Sequence, residues 1–307
     1  MKARKCGFLT LAVLVLALCR PALADSTMRG TSSDDWQGWG VLSGGKGYAA
    51  TPLGQVHYRD IGPRDYDKPL VLLHQTPMSM IQFAEVQNEL AKRGIRAITI
   101  DTPGYGTSDR PPHQPTIREF AANLVPVLDH LGLNRVVVGG HHTGAQIAAA
   151  FAANHESRVL AVILHGAAQL NAEERARYQA RMGKGQPRTP VPDGSHLTRL
   201  MHFPMSSQEQ AILDAKTWLS ITSFIQGPDI GHWAAFHYDM LPDLRKIGVP
   251  GLILTDLEDD VHYIDKRVAA LRPDFQYRVF SEGNLLEMMA QPAKWAAMAS
   301  DFLSTLP

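Results

Sequence analysis

Short, continuous apolar runs recur along this chain, and most are separated by stretches of helical spacing. Residues 69–73, 97–100, 135–139, 159–164, 251–254 and 277–280 each read as a strand. The runs 69–73 and 97–100, continuous and not alternating, suit strands buried on both faces of a mostly parallel sheet. Residues 81–92, 116–131, 146–154 and 292–303 read as the intervening helices. Alternation of this kind predicts an α/β fold, a mostly parallel sheet with helices on both faces. Residues 55–60 alternate apolar and polar, as an antiparallel strand does, and Gly62-Pro63 ends them.

Residues 171–241 break the rhythm. They are rich in Met, Pro, Arg and Gln, contain two stretches of helical character (173–182 and 207–225) and show no clear strand. They predict a helical cap inserted into a core of residues 47–170 and 242–307. Residues 25–46, polar and rich in Gly and Ser, read as a flexible arm.

The first 24 residues combine a basic start (Lys2, Arg4, Lys5), an apolar stretch and the small-x-small sequence Ala22-Leu23-Ala24. That pattern predicts a signal peptide cleaved after Ala24, and a periplasmic or secreted protein with no membrane segment in its mature form. Cleavage removes Lys2, Arg4, Lys5 and Arg20 but no acidic side chain, so the balanced formal charge becomes about −4. Nucleic acid is therefore not an expected partner. Both cysteines, Cys6 and Cys19, lie in the same segment, which excludes disulfides and a thiolate nucleophile from the mature chain.

Three motifs stand at the ends of these strands. His74-Gln75-Thr76-Pro77 resembles the HGxP oxyanion loop, with Gln at the Gly position. Asp101 to Asp109 is similar to the D-x-P-G-x-G-x-S-D turn of epoxide-hydrolase-like proteins. Gly140-His141-His142-Thr143-Gly144 sits where the G-x-S-x-G nucleophile elbow belongs, with His142 in place of the Ser. Together they resemble the α/β-hydrolase superfamily across residues 47–307, and a bacterial, cap-bearing, epoxide-hydrolase-like subgroup carrying HQTP and HHTG.

The resemblance implies a triad acid about nine residues after Pro250, which is Asp259, with Asp260 as the alternative. It implies a triad His near position 285, but that residue is Leu285 and no His follows His262. A Ser-His-acid relay is therefore not available. The resemblance leaves an imidazole, His142, able to act as a general base if Asp259 reaches it. The N–H groups of Thr143 and of Gln75 or Thr76 are the expected oxyanion donors. Hydrolysis by activated water is the expected reaction, on a small organic substrate. A lyase or isomerase step through an enolate, or binding without turnover, is the alternative.

His74 and His141 are placed beside this site, with Trp233 and His237 at the end of the cap as substrate-binding groups. No cofactor and no metal are expected. A zinc site built from His74, His142 and His165, with His141 and Asp259 nearby, is the alternative that the usual structural role of such histidines argues against. Nothing in the sequence fixes the oligomeric state.

Overall fold

A computed structural model describes residues 45–182, 192–193, 229–283 and 287–307. The expected signal peptide, the expected arm as far as residue 44, the helix expected at 207–225 and Leu285, where the resemblance implies a triad His, lie outside the described residues. The strands form one eight-stranded sheet in the order β1-β2-β4-β3-β5-β6-β7-β8. Strands β1 (Lys46–Thr51) and β2 (Gly54–Ile61) pair antiparallel, and β2 is antiparallel to β4 (Ala97–Ile100). From β4 onward through β3 (Leu70–Leu73), β5 (Val136–His141), β6 (Val159–His165), β7 (Gly251–Asp256) and β8 (Gln276–Ser281), all pairs are parallel.

The alternation of strand side chains sorts the core into two layers. Val71, Leu73, Val136 and Val138 pack on one face; Leu70, Leu72 and Val137 pack on the other. Helix α1 (Ala84–Lys92) and the last helix, here α10 (Pro292–Ser304), cover the second face, where Phe83 meets Trp295 edge-on at 5.7 Å between ring centroids. The first face carries α2 (Ile117–Ala122), α3 (Leu124–His130) and α4 (Thr143–Asn154).

The expected single helix over 116–131 is two. Asn123 separates α2 from α3, and Pro126 is the third residue of α3. Proline has no N–H to bond the carbonyl four residues back, so it is tolerated in a first turn but not in the interior of a continuous helix. Helix α2 opens with a capping box in which Thr116 accepts from the Glu119 N–H and Glu119 accepts from the Thr116 N–H. Thr116→Ala is expected to cost about 1 kcal/mol in urea unfolding, the usual value of an N-cap.

Within the expected cap, the described segments are α5 (Ala172–Met182), α6 (Ile230–His237) and the start of α7 (Leu241–Lys246). Helix α8 (His262–Leu271), which the sequence pattern did not suggest, follows β7. A short helix α9 (Glu287–Ala290) precedes α10. No described helix is long and apolar enough to cross a membrane.

Candidate active site

Strand and helix pack closely where β5 turns into α4. A Cβ on Gly140 would stand 2.2 Å from the Gly144 carbonyl carbon, and one on Gly144 only 2.0 Å from the Leu73 oxygen. Only glycine lets strand and helix approach so closely. Between them His142 has φ 48° and ψ −110°, a conformation that L-residues rarely adopt. Its N–H donates to the His165 carbonyl (2.9 Å) and its own carbonyl accepts from the Gln146 N–H (3.0 Å). The side chain is thereby held at the apex of the turn.

From there the imidazole reaches the loop after β7. His142 Nε2 lies 2.6 Å from Asp259 Oδ2, while Asp259 Oδ1 accepts from the Val261 N–H at 3.1 Å. Of the two neighbouring aspartates, Asp259 meets the ring and Asp260 lines the adjacent cavity. Gly166 makes room for this pose, since a Cβ there would fall 2.4 Å from His142 Cδ2. Because a carboxylate only accepts, Nε2 carries the proton and Nδ1 holds the lone pair. Nδ1 has no hydrogen-bond partner among the described residues, and the side chain retains 20% of its exposure.

Burial works against a charged His142, but the carboxylates of Asp259, Asp265 and Asp256 outweigh it and hold its pKa above the ordinary value. Burial likewise pushes Asp259 up, and the imidazole beside it more than offsets this, leaving the carboxyl below its usual range. A cavity of about 280 Å³ opens onto the pair, lined among others by Gln75, Thr76, Thr143, Gln146 and Phe236. The Thr143 N–H stands in the first turn of α4 and has no acceptor within the helix. The Thr76 N–H has no acceptor among the described residues.

Gln75 corrects the expected donor set. Its N–H donates to Gln82 Oε1 at 2.9 Å and is not available to a substrate, though its side chain lines the cavity. His74 is also reassigned. It is 1% exposed, donates from Nδ1 to the Gln75 carbonyl (2.8 Å), and accepts at Nε2 from the Thr102 N–H (3.1 Å). It anchors the loop and does not reach the cavity. Burial lowers its pKa and keeps that acceptor nitrogen free of a proton.

His141 is fully buried beneath His142, with ring centroids 4.3 Å apart, and is not a substrate contact. Burial first, then the neighbouring imidazoles, drive its pKa well below the usual value. Trp233 and His237 stack on each other at 4.1 Å, with His237 Nδ1 bonded to the Trp233 carbonyl, and neither lines the cavity. The same helix instead presents His232, Ala235 and Phe236 to the cavity. Residues three and four apart share a helical face, and the sequence reading chose the adjacent one.

The imidazole cluster has cation-like spacing. Ligand atoms of His141, His142 and Asp259 lie within 4.8 Å of one another, as do those of His141, His165 and Asp256; His74 belongs to neither group. The hydrogen bonds argue against coordination. Gln82 accepts at Oε1 from the Gln75 N–H, so its Nε2 must be the donor to His141 Nδ1, at 2.6 Å. His141 Nε2 then keeps its proton, whereas a metal-bound imidazole donates from its outer nitrogen. His165 is similarly committed, accepting from Trp295 Nε1 (3.2 Å) and donating to Asp256 (2.8 Å), which also accepts from Ser281. His165, Asp256 and Ser281 thus form a buried hydrogen-bonded network at the ends of β6, β7 and β8, whereas His141 Nε2 has no hydrogen-bond partner among the described residues.

A sequence profile for the α/β hydrolase fold matches residues 68–192. The chain is 33% identical over 114 residues to a non-heme haloperoxidase of Rhodococcus erythropolis, 37% of this chain and 40% of that protein. It is 36% identical over 112 residues to epoxide hydrolase B of Mycobacterium tuberculosis, 36% of this chain and 32% of that protein. Its matches span about a third of the length of several such curated relatives. In three dimensions it superposes on an esterase from Thermogutta terrifontis with a TM-score of 0.67 and 22% identity, covering 84% of this chain and 98% of the other. The strand order, the elbow and these similarities define one class. This chain is an α/β-hydrolase-fold protein.

Proposed function

We propose that this protein is an exported enzyme that hydrolyses small, partly apolar acyl compounds, with His142 as general base. The observation that carries the reading is the 2.6 Å contact of His142 Nε2 with Asp259 on the cavity wall. Asp259 fixes the tautomer and leaves Nδ1 to take a proton from water. The water oxygen bonds to the carbonyl carbon, and the carbonyl oxygen, now an anion, accepts from the Thr143 and Thr76 N–H groups. Collapse breaks the bond to the leaving alkoxide, which recovers the proton from the imidazolium. An acid and an alcohol result, and His142 returns to its starting state. The relatives named as epoxide hydrolase and esterase support hydrolysis as the reaction class.

A panel of esters, lactones and epoxides tests the reading. Turnover that fails across the panel, with retained binding, would leave a ligand-binding protein in its place. The pH profile gives a second check. The active base is the neutral imidazole, and its pKa is raised above 6.5. Consequently kcat/KM should fall about tenfold per pH unit on the acid side, with a midpoint above that of free histidine. A flat profile between pH 5 and 8 contradicts the assignment. Export is tested by N-terminal sequencing of protein expressed with residues 1–24 in a bacterial host, where the expected first residue is Asp25.

A further inference from the structure

Gln146 lies one helical turn beyond His142 and lines the same cavity. Its Nε2 donates to the Ala168 carbonyl at 2.9 Å and to the Ala235 carbonyl at 3.5 Å. Carbonyl oxygens only accept, so the orientation of the amide is fixed: Oε1 must be its other end. That oxygen is buried and has no hydrogen-bond partner among the described residues. A buried acceptor without a donor costs about 1–3 kcal/mol, and native folds rarely leave one unexplained.

Close by, three rings form part of the lining. Phe236 stacks on Tyr178 (4.8 Å between centroids, 19° between planes) and on His232 (5.4 Å, 17°). Leu170, Ala235 and Val261 extend the apolar surface. A cavity of about 280 Å³ has room for a ring, and both this stack and Gln146 stand in its lining. The geometry points to a substrate class: a flat, ring-bearing acyl compound carrying a hydroxyl or N–H group, whose donor is accepted by Gln146 Oε1. The acyl part rests on the hydrolase reading above; the ring and the donor are read from the walls.

The test separates the two. Calorimetry with the unreactive ketones acetophenone, 3-hydroxyacetophenone and 4-hydroxyacetophenone reads binding without turnover. At least one hydroxy isomer should bind wild-type protein about tenfold more tightly than acetophenone, the value of one supplied hydrogen bond. In Gln146→Met that preference should vanish. The variant also loses the bonds to Ala168 and Ala235, so the ratio between ligands, not the absolute affinity, is the readout. Phe236→Ala should weaken all three ketones alike. Equal binding of the three by wild-type protein, or a preference that survives in Gln146→Met, overturns the proposal. The parallel assay uses phenyl acetate and its 3- and 4-hydroxy derivatives. No ester cleavage beside an intact ketone preference sinks the hydrolase reading and upholds the donor site; cleavage with no preference does the reverse.

Discussion

His142→Ala lowers kcat/KM by about 10²–10⁴ on any substrate the panel identifies, with folding cooperativity retained. The range is that of general-base help, since water must then be deprotonated by solvent. The oxyanion donors stay in place in this variant, so residual turnover above the uncatalysed rate is part of the expectation. Asp259→Asn should cost a similar factor by a different route. Its amide can present a donor to Nε2, which would favour the opposite tautomer and put the proton on Nδ1, where the lone pair is needed. Loss of the carboxylate also removes the leading influence that raises the His142 pKa, so the acid limb of the remaining activity moves to lower pH. The two substitutions act on one unit, and the double variant should be scarcely slower than the worse single one. Full kcat/KM in His142→Ala sinks the base assignment. Additive losses in the double variant sink the dyad while leaving the base.

Much of this was legible in the sequence because the signals were local. Residues 69–73 and 159–164 are apolar at every position and 97–100 at all but Thr99, and the structure buries them between two helical layers as that pattern demands. The elbow could be read because Gly140 and Gly144 are set by steric necessity, whatever stands at 142. Asp259, the residue that the resemblance implies as the acid about nine positions after Pro250, stands 2.6 Å from the His142 ring. What escaped depended on facing and on competition for hydrogen bonds. The 232–238 stretch carries aromatic or imidazole rings on more than one helical face, and composition does not say which is inward. The loss of the Gln75 N–H required knowing that Gln82, seven residues on, turns its amide back onto the loop. Gln146 carried a weak signal, four residues after His142 and so on the same helical face. Its unsatisfied oxygen becomes visible only with the carbonyls of Ala168 and Ala235 in place.

The acid that stands behind the dyad gives the largest expected effect on stability. Asp265, on α8, is wholly buried, and its Oδ1 accepts from the Ala167 N–H at 2.6 Å. Burial raises its pKa from the ordinary carboxyl value of 3.8 to about 7, against the pull of its hydrogen bonds. Between those limits the folded protein holds a proton that the unfolded chain has released, so the folded state binds more protons and stability declines as pH rises. The contribution is complete below about pH 4 and is lost by the time pH passes about 7. At about 1.4 kcal/mol per unit of displacement, the total is about 4 kcal/mol. Asp265→Asn keeps an oxygen for Ala167 and cannot ionise, so that slope should disappear. Urea unfolding from pH 4.5 to 8.5 should find the variant similar to wild type at the acid end and more stable by a few kcal/mol at the alkaline end. The His142–Asp259 pair adds a separate dependence: the share from Asp259 fades as pH falls through its lowered pKa, and the share from His142 fades as pH rises through its raised one. Because the Asp265 carboxylate is itself one of the charges that raise the His142 pKa, Asp265→Asn removes that smaller contribution too. A difference between the two curves that stays constant with pH would mean that the Asp265 carboxyl is ionised throughout.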